Sequence, residues 1–312
     1  MIRTQQLCKR YGVFAAVDNL NLHVHPGEIY GFLGPNGAGK TTTLMMILGI
    51  IQPTSGRVEV LGQPFDSTSF ALRRRMGVVA EDAWQYDEMT AHEYLTFFAR
   101  LYRVEKAGPA IQSLLERLGL WERRQVLVGG YSRGMRQKLN LCRALLHDPE
   151  LLILDEPVSG LDPNGIRQVR ELLVEENRRG RTILISSHIL SEIEQTAHRV
   201  GIIAGGRLLA EDSVAGLRVR LGDGQHIEVE ISAPSADLRQ QVVALPFVQK
   251  VEEQTPTRWL IVAAGGDDAR PALAHFFAGQ GALVIGMRTV ERSLEEAFVT
   301  LTDAAVRAWV EE

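Results

Sequence analysis

The chain has 312 residues, enough for two domains with separate cores. Hydrophobic residues make up 45% and charged residues 23%, and a formal net charge of -4 argues against a general nucleic-acid binder. Two cysteines, Cys8 and Cys142, supply no disulfide framework and fit a reducing compartment.

In chain order, the opening segment MIRTQQLCKRYG lacks the apolar centre of a signal peptide. His23 and His25 flank Val24 on a predicted strand and would share a face, but no third metal ligand is evident. EIYGFLG reads as a buried strand and KTTTLMMILGI as a helix. Between them GPNGAGKTT matches the phosphate-binding pattern G-x-x-x-x-G-K-[ST] in its required strand-to-helix setting. The backbone of Gly34, Pro35, Asn36, Gly37, Ala38 and Gly39 would wrap a phosphate. Lys40 would reach the outer phosphates, and Thr41, followed by Thr42, would offer a hydroxyl to magnesium. The longest apolar run, Leu44 to Ile51, is too short to span a bilayer, so work at a membrane would need another chain. The RRR run at Arg73 to Arg75 reads as a solvated strand entrance.

Further on, YSRGMRQKL opens like a helix that grips an anion. Ser132 would be its N-cap, Gly134 would let a ligand approach the backbone, and Arg133, Arg136 and Lys138 add positive charge. LLILDEP is a strand delivering Asp155, which can hold magnesium through water, and Glu156, which can orient or deprotonate an attacking water. TILISSH ends a neighbouring strand in His188, placed to contact a γ-phosphate. Continuous apolar strands between helices predict a largely parallel sheet covered on both faces, with ligands at its carboxyl edge.

RVRLGDGQ, Arg218 to Gln225, marks a domain boundary, dividing residues 1–217 from 225–312. Beyond it, HIEVEIS, ADLRQQVVAL, VQKVEEQ, RWLIVAA, DDARPALAHFFAGQ and ALVIGMR give the order βαββαβ, a small α+β ferredoxin-like domain. A last predicted helix, SLEEAFVTL, puts Leu294, Ala297, Phe298 and Leu301 on one stripe.

Taken together and in this order, the motifs of Met1 to Ala215 resemble the nucleotide-binding subunit of an ATP-binding cassette (ABC) transporter. YSRGM stands where that family carries its LSGGQ signature, Ser159 to Asp162 matches the D-loop, and His188 the switch histidine. Tyr11 matches the aromatic that stacks on adenine, although on sequence alone an aromatic there packs as often as it stacks. Glu81 falls where the Q-loop glutamine usually stands. The resemblance implies a P-loop α/β ATPase with a helical subdomain at about 85–145, binding ATP and Mg2+. Thr41, Glu81 and Asp155 would hold the metal, and Glu156 and His188 would serve hydrolysis. Ser132, Gly134 and Asp162 would complete a nucleotide site across a dimer, because the family's signature covers the ATP of a second subunit. That second subunit is a further copy of the chain or a paralogous ATPase.

The resemblance also implies an integral membrane permease as partner, a peripheral position on the cytoplasmic face of the cell membrane, and no nucleic acid. Arg133 and Met135 replace the signature's first glycine and its glutamine. The basic variant, Glu81 and the tail domain ending ERSLEEAFVTL look like the exporter branch that handles drugs, lipids, polysaccharides or ions. An import ATPase with a regulatory tail and a soluble non-transport ABC ATPase are the alternatives. Trp84, Tyr86 and Met89 are candidates for the floor of the groove that receives the permease, or else for local core.

Overall fold

The computed structural model describes residues 1–66, 68–81, 86–221, 225–232, 235, 237–264 and 268–290. Trp84 and the predicted helix SLEEAFVTL lie outside them. The chain divides into two compact units, Met1–Val214 and one beginning at Ala215.

The centre of the first unit is a six-stranded sheet. Across it run Arg207–Ser213, Arg199–Ala204, Ile29–Leu33, Thr182–Ser187, Leu151–Asp155 and Met76–Val79. Every neighbouring pair is parallel except the first. Ile29–Leu33, Leu151–Asp155 and Thr182–Ser187 are buried at every residue, as expected of strands covered on both faces. Helices Lys40–Ile47, Arg133–Leu145, Pro163–Arg178 and Leu190–Glu194 pack against these strands.

A second, antiparallel sheet is built on Ile2–Tyr11, with Phe14–Leu20 on one side and Ser55–Val60 and Gln63–Pro64 on the other. One core joins the two sheets: Ile2, Leu7, Leu20 and Val60 meet Tyr30, Phe32, Met46, Ile153 and Leu184. Truncating one of these leucines to alanine would cost about 2–5 kcal/mol, since the cavity left behind adds to the lost transfer energy.

Two local readings are corrected here. The helix after the phosphate loop ends at Ile47, and Gly49 turns the chain at φ 62°. Arg73 belongs to a short helix, Phe70–Arg73, with its guanidinium over the rings of Phe65 and Phe70. Arg75 pairs with Glu150 through two hydrogen bonds of 2.6 and 2.7 Å. The basic run is therefore partly engaged within the chain.

Between the strand Met76–Val79 and the helix Arg133–Leu145 stand the helices Ala91–Tyr102 and Ala107–Arg117. Thr90 starts the first with a capping box: its hydroxyl accepts the Glu93 N–H at 3.2 Å, and Glu93 accepts the Thr90 N–H at 2.8 Å. Tyr94, Phe98 and Tyr102 form a run of ring contacts, 4.9 and 5.9 Å between centroids.

The second unit contains Gln225–Ser232, Leu238–Val243, Val248–Thr255, Arg258–Ala263, Arg270–Gly279 and Leu283–Thr289, which is βαββαβ. Its four strands are antiparallel, with the first and third adjacent at the centre. This is the ferredoxin-like arrangement. Ile227, Val229 and Ile231 alternate inward and meet Leu238, Val242, Leu273 and Phe277.

Candidate nucleotide site

The phosphate loop leaves the buried strand Ile29–Leu33 and enters the helix at Lys40. The Gly34 N–H donates to the carbonyl of Ser187 at 3.2 Å, and the Gly206 N–H donates to the carbonyl of Ala38 at 3.0 Å, so both ends are tied to adjacent strands. Gly39 is the N-cap at φ 102°, and no side chain caps this helix. Its first N–H groups are thus left for an anion, as at other phosphate-binding helix starts. A side chain at Gly39 would also collide with the Ala16 carbonyl, 2.5 Å from an added Cβ.

Lys40 is 6% exposed. Its ammonium donates to the carbonyls of Gly34 at 2.7 Å and Pro35 at 3.3 Å, and lies 3.3 Å from Glu156 Oε1. Burial of a cation without partners would be costly, and these three acceptors offset that cost. A phosphate entering the loop would compete with Glu156 for the same ammonium.

Thr41 Oγ1 donates to Asp155 Oδ2 at 2.9 Å. Ser186 is hydrogen-bonded to the other oxygen of Asp155, and its Oγ accepts the Glu156 N–H at 3.1 Å. Glu156 adopts the left-handed conformation, φ 48°, which costs a non-glycine residue about 1–2 kcal/mol. The Ser186 contact on its N–H and the Gln137 amide, 3.3 Å from its carbonyl, hold it there. The His188 ring nitrogen Nδ1 lies 2.9 Å from Glu156 Oε2. Beyond the pair, the carboxyl of Glu192 is raised above its usual range by burial, and the charge of Glu156 adds to that; the hydrogen bond from Ser187, 3.0 Å, opposes it.

A cleft of about 380 Å³ opens over the loop, lined by Pro35–Thr42, Glu156, Glu81, Tyr11, Phe14 and Ala16. Of the residues expected for nucleotide contact, those of the loop from Pro35 to Thr42 line this cleft together with Tyr11 and Glu81. Tyr11 is 53% exposed and sits opposite Phe14 across a hairpin, with Lys9 over its ring at 5.1 Å.

The signature residues lie apart from the lining of this cleft. Ser132 caps its helix, accepting the Met135 N–H at 3.2 Å. Gly134 is explained within the chain: an added Cβ would stand 3.1 Å from Leu161 and 3.3 Å from the Gly160 carbonyl. The positive charges expected to face an anion are engaged locally. Arg133 bonds Ser159 at 3.1 Å, Arg136 pairs with Asp87 at 2.7 Å, and Lys138 bonds Gln168 at 2.7 Å. Asp162 caps the helix Pro163–Arg178 by accepting the Gly165 N–H at 2.9 Å. His23 and His25 do face each other, with ring centroids 4.1 Å apart. No group of three or more His, Cys, Asp or Glu among the described residues is arranged for a metal.

Sequence reasoning passed over Ser186, Gln137, Phe14 and Ala16. The serine pair before His188 was a signal for the first, since a polar pair closing a buried strand needs partners. Nothing local marked the other three.

A P-loop strand and helix, two carboxylates at the end of the next strand but one and a histidine beside them describe a nucleotide triphosphatase. Comparison with known proteins narrows the class. The ABC transporter family matches residues 17–159. The bacitracin transport ATP-binding protein BcrA of Bacillus licheniformis is 41% identical over 303 residues, covering 96% of this chain and 97% of that protein. The Nod factor export ATP-binding protein I of Burkholderia thailandensis is 38% identical over 307 residues, covering 96% and 95%. A solved ATP-binding subunit of an ABC transporter superposes with a TM-score of 0.66 at 30% identity, over 71% of this chain and 93% of that one. This chain belongs to the ATP-binding proteins of ABC transporters. It is an ATP hydrolase of that family, and no described helix is long and apolar enough to cross a membrane.

Proposed function

We propose that the chain powers export through a separate integral membrane permease. On this reading it works as a homodimer or with a paralogous ATPase, at the cytoplasmic face of the membrane. Relatives covering nearly the whole chain support export, because one is named for bacitracin transport, one for Nod factor export and another, from Bacillus subtilis, for linearmycin resistance. Two named cargoes at 38–41% identity also suggest that cargo choice resides in the permease.

The observation that carries the mechanism is the position of Glu156, between the Lys40 ammonium at 3.3 Å and the His188 ring at 2.9 Å. When the triphosphate occupies the loop, Lys40 turns from Glu156 to the phosphate oxygens. The released carboxylate accepts a proton from the attacking water, with its backbone held by Ser186 and Gln137. His188 orients the carboxylate and contacts the γ-phosphate. Tyr11 stacks on the adenine. The paired oxygens of Thr41 and Asp155 suit magnesium, which takes few protein ligands and keeps phosphates and water. With Glu81 they would hold it, and it would neutralise charge on the phosphates.

Ser132 and Gly134 meet the nucleotide of the other subunit, and Asp162 shapes the loop leading to that interface. Residues 1–217 form the ATPase domain, and 225–312 an accessory domain that tunes coupling. For the permease we assign the exposed apolar surface of the helical region, where Tyr86, Phe97 and Leu101 are 52%, 42% and 63% exposed and Tyr86 stacks edge-on against Phe97 at 5.8 Å. The test is co-purification from native membranes, followed by reconstitution. An integral membrane protein should come with the tagged chain and move cargo outward at the expense of ATP. Inward movement, or no membrane partner, would refute the assignment.

A further inference from the structure

Arg133 departs from the family's signature, and although the residue is exposed, its side chain is engaged within the chain. Nη2 donates to Ser159 Oγ at 3.1 Å, and the stem lies across Gly160, where an added Cβ would stand 2.7 Å from Cδ and 2.9 Å from Nε. Gly160 is at φ 75°, so its lack of a side chain serves both the turn and the arginine above it. One helical turn further on, Gln137 donates its amide to the Glu156 carbonyl at 3.3 Å. That carbonyl also accepts the Ser159 N–H at 3.1 Å. The same helix therefore holds both ends of the segment Glu156–Gly160, and Ser159 links them, its Oγ bonded to Arg133 and its N–H to the Glu156 carbonyl.

We infer that Arg133 is a positioning residue for Glu156. Its contact with Ser159 and Gly160 fixes the turn whose N–H anchors the Glu156 carbonyl, and that anchor helps hold Glu156 in its left-handed conformation. A disturbance at the first turn of the helix, where Ser132 is the cap, thus reaches the carboxylate through three residues. The inference rests on the reading of Glu156 as general base.

It is tested on the full chain by measuring kcat and KM for ATP in Arg133→Ala, Arg133→Lys, Ser159→Ala and the Arg133→Ala/Ser159→Ala double variant. Glu156→Gln is measured alongside, and thermal melts confirm folding. Arg133→Ala should lower kcat on the order of tenfold, the scale of a sub-ångström misplacement of a reacting group, with KM within about twofold. Ser159→Ala should reproduce that loss, and the double variant should lose no more than either alone, as residues acting through one contact do. Lysine, whose straight stem still reaches the serine, should restore part of the rate.

A rise in KM at unchanged kcat, or additive losses, would instead mean that Arg133 meets nucleotide directly, and the inference fails. Normal kcat in Arg133→Ala beside a dead Glu156→Gln removes the positioning role alone. An active Glu156→Gln removes the general-base reading and with it this one.

Discussion

Two helices of the ATPase unit begin with glycine-containing turns suited to anions, and they are finished in opposite ways. At Lys40–Ile47 the N-cap is a glycine, no side chain occupies the first N–H groups, and a buried lysine stands ready beside them. At Arg133–Leu145 a serine already caps the helix, and the three cationic side chains near its start are tied to partners within the chain. The first leaves its backbone donors uncapped beside a buried ammonium, which is what a primary phosphate site requires. The second offers an anion only what remains after its own chain has been served. Such a surface adds affinity once a phosphate is already held elsewhere, which suits a closing contact better than a primary one.

The sharpest way to break this comparison is at the cradle. Glu156→Gln should keep ATP binding, lower turnover by about 100-fold or more, the scale for loss of a general base, and accumulate an ATP-bound dimer on gel filtration. Turnover near the wild-type rate would remove Glu156 from the chemistry. The next effect is on the division of labour between the two helices. Ser132→Arg and Lys40→Ala chains, each inactive alone, should recover activity when mixed, since the heterodimer unites an intact Lys40 with an intact Ser132 at one site. Heterodimers that form without activity would show that the signature does not act across subunits.

Smaller changes refine the picture. Glu81 is exposed on the cleft wall, and a carboxylate there attracts magnesium more than an amide does. Glu81→Gln should stay active but need several-fold more magnesium for half-maximal ATPase, because a neutral carbonyl oxygen replaces a charged donor to a hard cation. Superimposable magnesium titrations would leave Glu81 without a metal contact.

Glu192 gives the smallest effect and a pH signature. Because burial raises its folded-state pKa above the unfolded value, its contribution is most favourable at acid pH and is lost as pH rises through the folded pKa. Glu192→Gln removes that penalty. The Tm difference between variant and wild type should therefore grow from acid to neutral pH, and a constant difference across that range would contradict the assigned cause.

Much of this was legible in the residues themselves. The phosphate loop, the carboxylates of LLILDEP and the histidine of TILISSH are local patterns, because a strand followed by glycines and a lysine builds the same turn wherever it is placed. The alternation of HIEVEIS similarly marks the second unit's half-buried strand.

What the tertiary structure decided are the pairings between distant segments. Asp155 and Ser186 are 31 residues apart and meet because two parallel strands run in register, Asp155 opposite Ser186. Arg133 reads as a free positive charge at a helix start, yet it lies over a glycine in another loop, 26 residues from the serine it bonds. Composition and spacing determine which groups can bear charge or bend the chain. Which of those charges remain available to a ligand depends on the neighbours that packing brings within hydrogen-bond range, and that is a property of the folded chain alone.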